Sequence, residues 1–295
     1  MDVISKLVIP AAGWGTRFLP ATKAIPKEML PIVATPAIQL VVEEAANAGM
    51  EDVLLITARD KQAIENHFDR SADMEAFLAA RGDDTLREVL INISQLARIH
   101  YVRQGEALGL GHAVLCARDH VGNEPFAVAL PDDLIRSDDG CLSELLSVYK
   151  KYRCTILALQ RVPKEKLSSF GVVSAHRLGE GLWEITDLVE KPPPEQAPSD
   201  LAVVGRYILE PEIFSALETT GPGVGGEIQL TDALRVLATK RRVIGWEFSG
   251  HRYDVGNHLG FIKATLEYAL DSSLGPQLRD YLTELCEQLR FRRYD

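Results

Sequence analysis

Short apolar runs recur through the first 130 positions, and longer stretches with helical spacing separate them. Leu7 to Ala11, Val53 to Thr57, Ile99 to Arg103 and Phe126 to Leu130 predict strands. Ala37 to Gly49 predicts a helix with Ile38, Val41, Val42 and Ala45 on one face and Gly49 at its end. Two helical stretches near 60–97 and a helix from about Gly111 to Val121 fill the remaining gaps. Strands that alternate with helices imply parallel crossovers, hence a doubly wound, mostly parallel mixed α/β sheet of Rossmann-like type.

The pattern then changes. CTILALQRV, FGVVSA, LWEITDLVEKP and AVVGRYIL follow one another with fewer helices between them, which predicts mixed or antiparallel additions to the sheet. From residue 229 helices dominate again, including Leu259 to Leu270 and an amphipathic tail at about 275–290. PPPEQAPSD at 192–200 is a surface loop too short to divide domains. The expected organisation is one domain over residues 1–270 and a helical tail over 271–295.

Charge and composition narrow the partners. A net charge of −10 argues against non-specific nucleic-acid binding, which needs surplus Lys and Arg. No apolar run approaches the ~18 residues of a membrane span, and MDVISKLVIPAAG lacks the long apolar core of a signal peptide. Cys116, Cys141, Cys154 and Cys286 show no CxxC pair, as expected for reduced thiols in a cytoplasmic protein. His67, His100, His120, His176, His251 and His258 form no ligand-spaced cluster along the chain, so a zinc site is not expected.

Against that acidic background, IPAAGWGTRFLPATKAIPKEMLPI at 9–32 stands out: Arg17, Lys23 and Lys27 precede any acid, and prolines stiffen the segment. Ligands of open parallel sheets bind beyond the carboxyl ends of strands, and this loop follows the first strand. It is neither a dinucleotide fingerprint, since Phe18 stands where GxGxxG needs glycine, nor a Walker loop, which needs Gly-Lys-Ser/Thr. Backbone N–H groups near Ala12 to Gly15 can approach an anion closely, and Arg17 and Lys27 can add charge-assisted bonds of roughly 1.5–3 kcal/mol each. Asp132 and Asp133 follow the strand Phe126–Leu130 on the same side of such a sheet, where either carboxylate suits Mg²⁺.

The run GWGTRFLPATKAIPKEM resembles the signature of the sugar-1-phosphate nucleotidylyltransferases, and further segments match in order: IENHF, VRQGEALGLGHAV, LPDD, VEKP, VGRYIL, GEIQLTDA and YDVGN. The likeness spans roughly residues 6 to 270 and is strongest to the uridylyl branch, with thymidylyl- and cytidylyltransferases as sister activities. It implies an Mg²⁺-dependent enzyme that joins UTP to glucose 1-phosphate and assembles as a homodimer or homotetramer. A non-catalytic paralogue that binds UDP-glucose is the alternative of another class.

Carried over by position, the resemblance places Ala12, Gly13, Gln104 and Gly109 at the uracil. It sets Gly15, Thr16 and Arg17 around the triphosphate and Lys27 on its phosphates. Asp132 would hold Mg²⁺, favoured over Asp133, with Asp254 a second ligand. Gly171, Glu190 and Gly205 would face glucose, and Lys191 its phosphate. His112 receives no catalytic role. Trp14, between the two loop glycines, departs from the family's smaller aliphatic residue; it either stacks on a base or ribose or covers the site. Phe18 departs as well.

Overall fold

The computed structural model describes residues 4–291. Strand β1 (Lys6–Pro10) leads into the long loop, a two-residue ribbon of β2 (Pro31–Ile32) and β3 (Thr35–Pro36), and helix α1 (Ala37–Asn47). After β4 (Asp52–Thr57) come three helices where two were expected: α2 (Gln62–Phe68), α3 (Ala72–Ala80) and α4 (Asp84–Ile93). Strand β5 (Arg98–Arg103) follows, then α5 (Leu110–Leu115) and α6 (Arg118–Val121) in place of the single helix predicted there. Next come β6 (Phe126–Ala129), the short β7 (Asp133–Arg136), α7 (Cys141–Tyr152) and β8 (Thr155–Arg161). The second half adds β9 (Gly171–Gly179), β10 (Leu182–Glu190), β11 (Leu201–Leu209), α8 (Glu212–Thr219) and α9 (Leu230–Ala238). It closes with β12 (Val243–Glu247), β13 (His251–Asp254), α10 (His258–Leu270) and α11 (Gly275–Phe291).

Nine strands form one sheet in the order β5-β4-β1-β6-β11-β8-β12-β10-β9. β5, β4, β1 and β6 are mutually parallel, as the alternating first half requires. β11 reverses direction against β6 and β8, and β10 against β12 and β9, so the second half supplies the antiparallel ladders. β12 alone in that half pairs in parallel, with β8. Every residue of β11 is buried, which fits its place at the centre of the sheet.

Both faces of the sheet are covered. Ile38, Val41 and Val42 of α1 pack with Leu142 and Leu145 of α7 on one side. Val114 of α5, Ile213 of α8 and Leu234 of α9 pack on the other. The chain runs outward from β1 to β4 and β5, then returns to place β6 on the opposite flank of β1. The loops after β1 and β6 therefore diverge from neighbouring strand ends, which opens a crevice at that switch in strand order.

Candidate active site

The loop after β1 is a fixed object, built from three single 3-10 turns at Thr16–Phe18, Ala21–Lys23 and Lys27–Met29. Gly15 turns the chain at φ 65°, and a Cβ there would stand 3.0 Å from Lys27 Cβ, so a larger residue would be both strained and crowded. Its carbonyl accepts hydrogen bonds from Phe18 N (3.1 Å) and Thr22 Oγ1 (2.7 Å). Phe18 is buried against His258 and Phe261 of α10. Glu28 and Lys61, both buried, form an ion pair of 2.7 Å beneath the loop. Sequence reasoning missed that pair, because its members lie 33 positions apart and carry no shared motif.

The loop's cations are not all unpaired, as their spacing had suggested. Lys27 Nζ meets Asp132 Oδ2 at 2.6 Å, across 105 positions. Burial acts to lower the pKa of Lys27, but the charges of Asp132 and Glu28 raise it above the usual lysine value. Burial likewise disfavours the Asp132 carboxylate, yet Lys27 holds its pKa below the usual aspartate value. Both groups are charged at neutral pH. Arg17, exposed at the rim, donates from Nη1 to the carbonyl of Gly256 at 3.3 Å.

Two carboxylates converge beside this cation. A Cβ on Gly256 would stand 2.9 Å from Asp132 Oδ2 and 3.0 Å from Asp254 Oδ1, so both oxygens border the same small space. Asp254 Oδ1 already accepts the Gly256 N–H at 3.0 Å, and Val255 N donates to the Asp132 carbonyl at 2.8 Å, which locks the two segments together. A pair of carboxylates with open positions suits a hard divalent ion that completes its shell with phosphate and water. Asp133, the other possible ligand, is engaged elsewhere: its Oδ2 accepts Gly205 N at 2.9 Å and its Oδ1 pairs with Arg252.

A cavity of about 460 Å³ opens between the two loops. Ala12, Gly13, Gly15, Thr16, Lys27, Gln104, Gly109 and Asp132 all border it, together with the exposed Trp14. Gln104 is buried, and its Nε2 donates to Gly109 O (3.1 Å) and to His112 Nδ1 (3.0 Å). Gly109 sits at φ 103°, where an added Cβ would collide with Glu227 and Ile228. Mutual bonds from Gly111 N to Ile228 O and from Ile228 N to Leu108 O, each 2.8 Å, lace this turn to the GEIQLTDA segment.

Gly171, Glu190 and Lys191 form a separate group, while Gly205 stands against Asp133 and Leu130. Gly171 and Glu190 are register partners on β9 and β10. Lys191 Nζ lies 3.1 Å from Glu190 Oε1, and its backbone holds φ 46°, an uncommon left-handed conformation for a lysine. Its N–H donates to Phe170 O at 2.9 Å, and the Arg252 guanidinium covers the Phe170 ring at 4.9 Å. Since Arg252 also holds Asp133, one side chain ties this group to the residue next to Asp132. Arg252 carried no signal in the sequence beyond its place next to YDVGN.

Residues 6–270 match the nucleotidyl transferase family model. The chain belongs to that family. The UTP–glucose-1-phosphate uridylyltransferase YngB of Bacillus subtilis (strain 168) is 51% identical over 97% of this chain and 95% of its own length. Among solved structures, a UDP-glucose pyrophosphorylase complexed with UDP-glucose superposes with TM-score 0.84 at 48% identity, covering 92% of this chain and all of that one. The UTP-bound UGPase from Acinetobacter baumannii gives TM-score 0.88 at 40% identity over 96% of this chain and all of its own. The nucleotidyl transferase fold thus accounts for the crevice at β1 and β6 and for the motifs that border it.

Proposed function

We propose that this chain is a UTP–glucose-1-phosphate uridylyltransferase: glucose 1-phosphate and UTP give UDP-glucose and pyrophosphate. The observation that carries the reading is a cavity bordered by Lys27, Asp132, Gln104 and Gly109, with Asp254 meeting Asp132 beside Gly256. The names of its relatives supply the substrates.

An oxygen of the sugar phosphate attacks the α-phosphorus of UTP; the new P–O bond forms as the bond to the β-phosphate bridging oxygen breaks, and pyrophosphate carries away the electron pair. The nucleophile is ionised at neutral pH, so no side chain has to remove a proton. The residues bind and orient two polyanions. Ala12, Gly13, Gln104 and Gly109 seat the uracil, while Gly15, Thr16, Arg17 and Lys27 hold the triphosphate. Gly171, Glu190 and Gly205 seat the glucose, and Lys191 neutralises its phosphate. Mg²⁺ bound by Asp132 and Asp254 would offset the phosphate charge that opposes in-line attack. Lys27, 2.6 Å from Asp132, would add its charge to that of the ion in holding the phosphates.

Residues 1–270 form the catalytic unit in this reading, and 271–295 a tail that joins copies into a homodimer or homotetramer in the cytoplasm. Leu274, Tyr281 and Leu289 expose apolar surface on or beside α11, which supports such a contact; residues 292–295 lie outside the described part.

Pyrophosphate release measured with UTP, dTTP, CTP and ATP tests the assignment, with UTP expected to lead. Equal rates with all four would overturn it. Asp132→Asn is expected to lower Mg²⁺-supported kcat by about 100-fold or more with the circular dichroism spectrum unchanged; full turnover would remove Asp132 from the metal site.

A further inference from the structure

Far from the crevice, the fold assembles a group that the spacing of histidines along the chain did not announce. Asp52 opens β4, His100 lies on β5 and His120 on α6. The parallel register pairs Asp52 with Arg98 and Leu54 with His100, so Asp52 and His100 are diagonal neighbours on one sheet face. That is the face on which Leu54 packs with Ala117 and Val121, and α6 brings His120 down onto it.

The three ligand atoms lie within 4.8 Å of one another. His120 Nε2 stands 2.8 Å from Asp52 Oδ1, and His100 Nε2 stands 3.8 Å from the same oxygen. Ligand atoms around a tetrahedral zinc ion are separated by roughly 3.3 Å, so a small swing of the half-exposed His100 completes the geometry. The supporting contacts are also in place. Lys6, the register partner of Asp52 on β1, turns its ammonium to the carbonyls of His120 (3.4 Å) and Val121 (3.0 Å) and to Glu124 (2.8 Å). It thereby anchors α6. A structural hydrogen bond to Asp52 needs one imidazole, yet a second stands beside it, tilted 55° to the first with its centroid at 4.8 Å.

We propose that Asp52, His100 and His120 bind a divalent transition cation of the zinc type, which clips the edge strand β5 and its neighbour β4 to α6. Two neutral imidazoles and a carboxylate favour such ions over Mg²⁺, which prefers an all-oxygen shell. The site sits at the amino end of β4, roughly 16 Å of strand from the crevice end at Thr57, so it is independent of the proposed active site.

Calorimetric titration of chelator-stripped full-length protein with Zn²⁺, in excess Mg²⁺ to occupy the Asp132–Asp254 pair, tests the assignment. One Zn²⁺ per chain is expected, weakened by roughly tenfold or more in His100→Gln and in His120→Gln. Zinc should raise the melting temperature of the wild type and not of the variants, while zinc-free turnover of UTP and glucose 1-phosphate stays unchanged in His100→Gln. Co²⁺ should give a visible absorption band that both substitutions remove. Equal zinc affinity in wild type and both variants, or no binding by the wild type in excess Mg²⁺, would overturn the proposal.

Discussion

In the proposed site, Gln104 is the buried amide that would meet the base. Its Nε2 is committed to Gly109 O and His112 Nδ1, which leaves its carbonyl oxygen as the group a nucleobase would meet. Uracil and thymine present an N3–H to such an acceptor, whereas cytosine presents a lone pair. Gln104→Ala is therefore expected to lower kcat/KM for UTP by roughly 10–100-fold and to narrow the gap between UTP and CTP. Steady-state kinetics with both nucleotides check this; an unchanged ratio would remove Gln104 from base recognition. His112, which GLGHAV marked only as a helix start, acts here by orienting that amide. His67 is a second legible residue with an illegible role. IENHF named it, but only the fold sets its Nε2 2.8 Å from Gln39 Oε1 and buries it enough to lower its pKa below 6.5. The folded state resists the proton that the unfolded chain accepts, so stability falls as pH drops below about 6.5. His67→Gln should flatten that part of the melting-temperature curve; a curve superimposable on the wild type would refute it.

Helix α1 was legible as an element because its apolar face repeats with helical period. Glu44, on its polar side, carried no such signal and would pass for a solvated residue. In the fold it meets Arg206 of β11, which is fully buried, with Nη2 at 2.7 Å and Nε at 3.1 Å from Oε2. Arg206 Nη1 also donates to Gly205 O at 2.8 Å, and Leu142 N of α7 donates to Glu44 Oε1 at 3.1 Å. One ion pair thus joins α1, α7 and β11 directly beneath the Asp133–Gly205 contact. Glu44→Ala leaves the guanidinium buried without its partner and is expected to cost about 3–5 kcal/mol, read from the urea midpoint. A cost below about 1 kcal/mol would mean that water replaces the carboxylate. Elements were missed for related reasons. β7 and β13 have four residues each, too few to show a period, and pair across more than 100 positions. The predicted helix at 111–121 breaks at Cys116 and Ala117, between α5 and α6.

At the scale of the molecule, the proposed site is a meeting of two ends of the chain's plan. The parallel half contributes Lys27 and Gln104 from strand-end loops, and the antiparallel half contributes Glu190 and Lys191. Lys191 lies in the left-handed region, with its N–H bonded to Phe170 O and its ammonium paired with Glu190. Lys191→Ala is expected to raise KM for glucose 1-phosphate by roughly 10–100-fold with little effect on KM for UTP, because it would remove the charge-assisted phosphate contact proposed for it. Equal effects on both substrates would dissolve the division into two halves. Local order along the chain was enough for the alternating strands and helices, the antiparallel additions, the basic glycine-proline loop and the positions of the motifs. Those depend on neighbours within a few residues, which periodicity and turn chemistry record. Contact across long separations was not legible in the pattern of residues, and only the family resemblance had set Asp132 with Asp254. Lys27 with Asp132, Asp132 with Asp254 beside Gly256, Arg252 linking Asp133 to Phe170, and Asp52 with His100 and His120 all arise from strand order and register. A linear chain stores that information only in the balance of its whole core, not in any one segment.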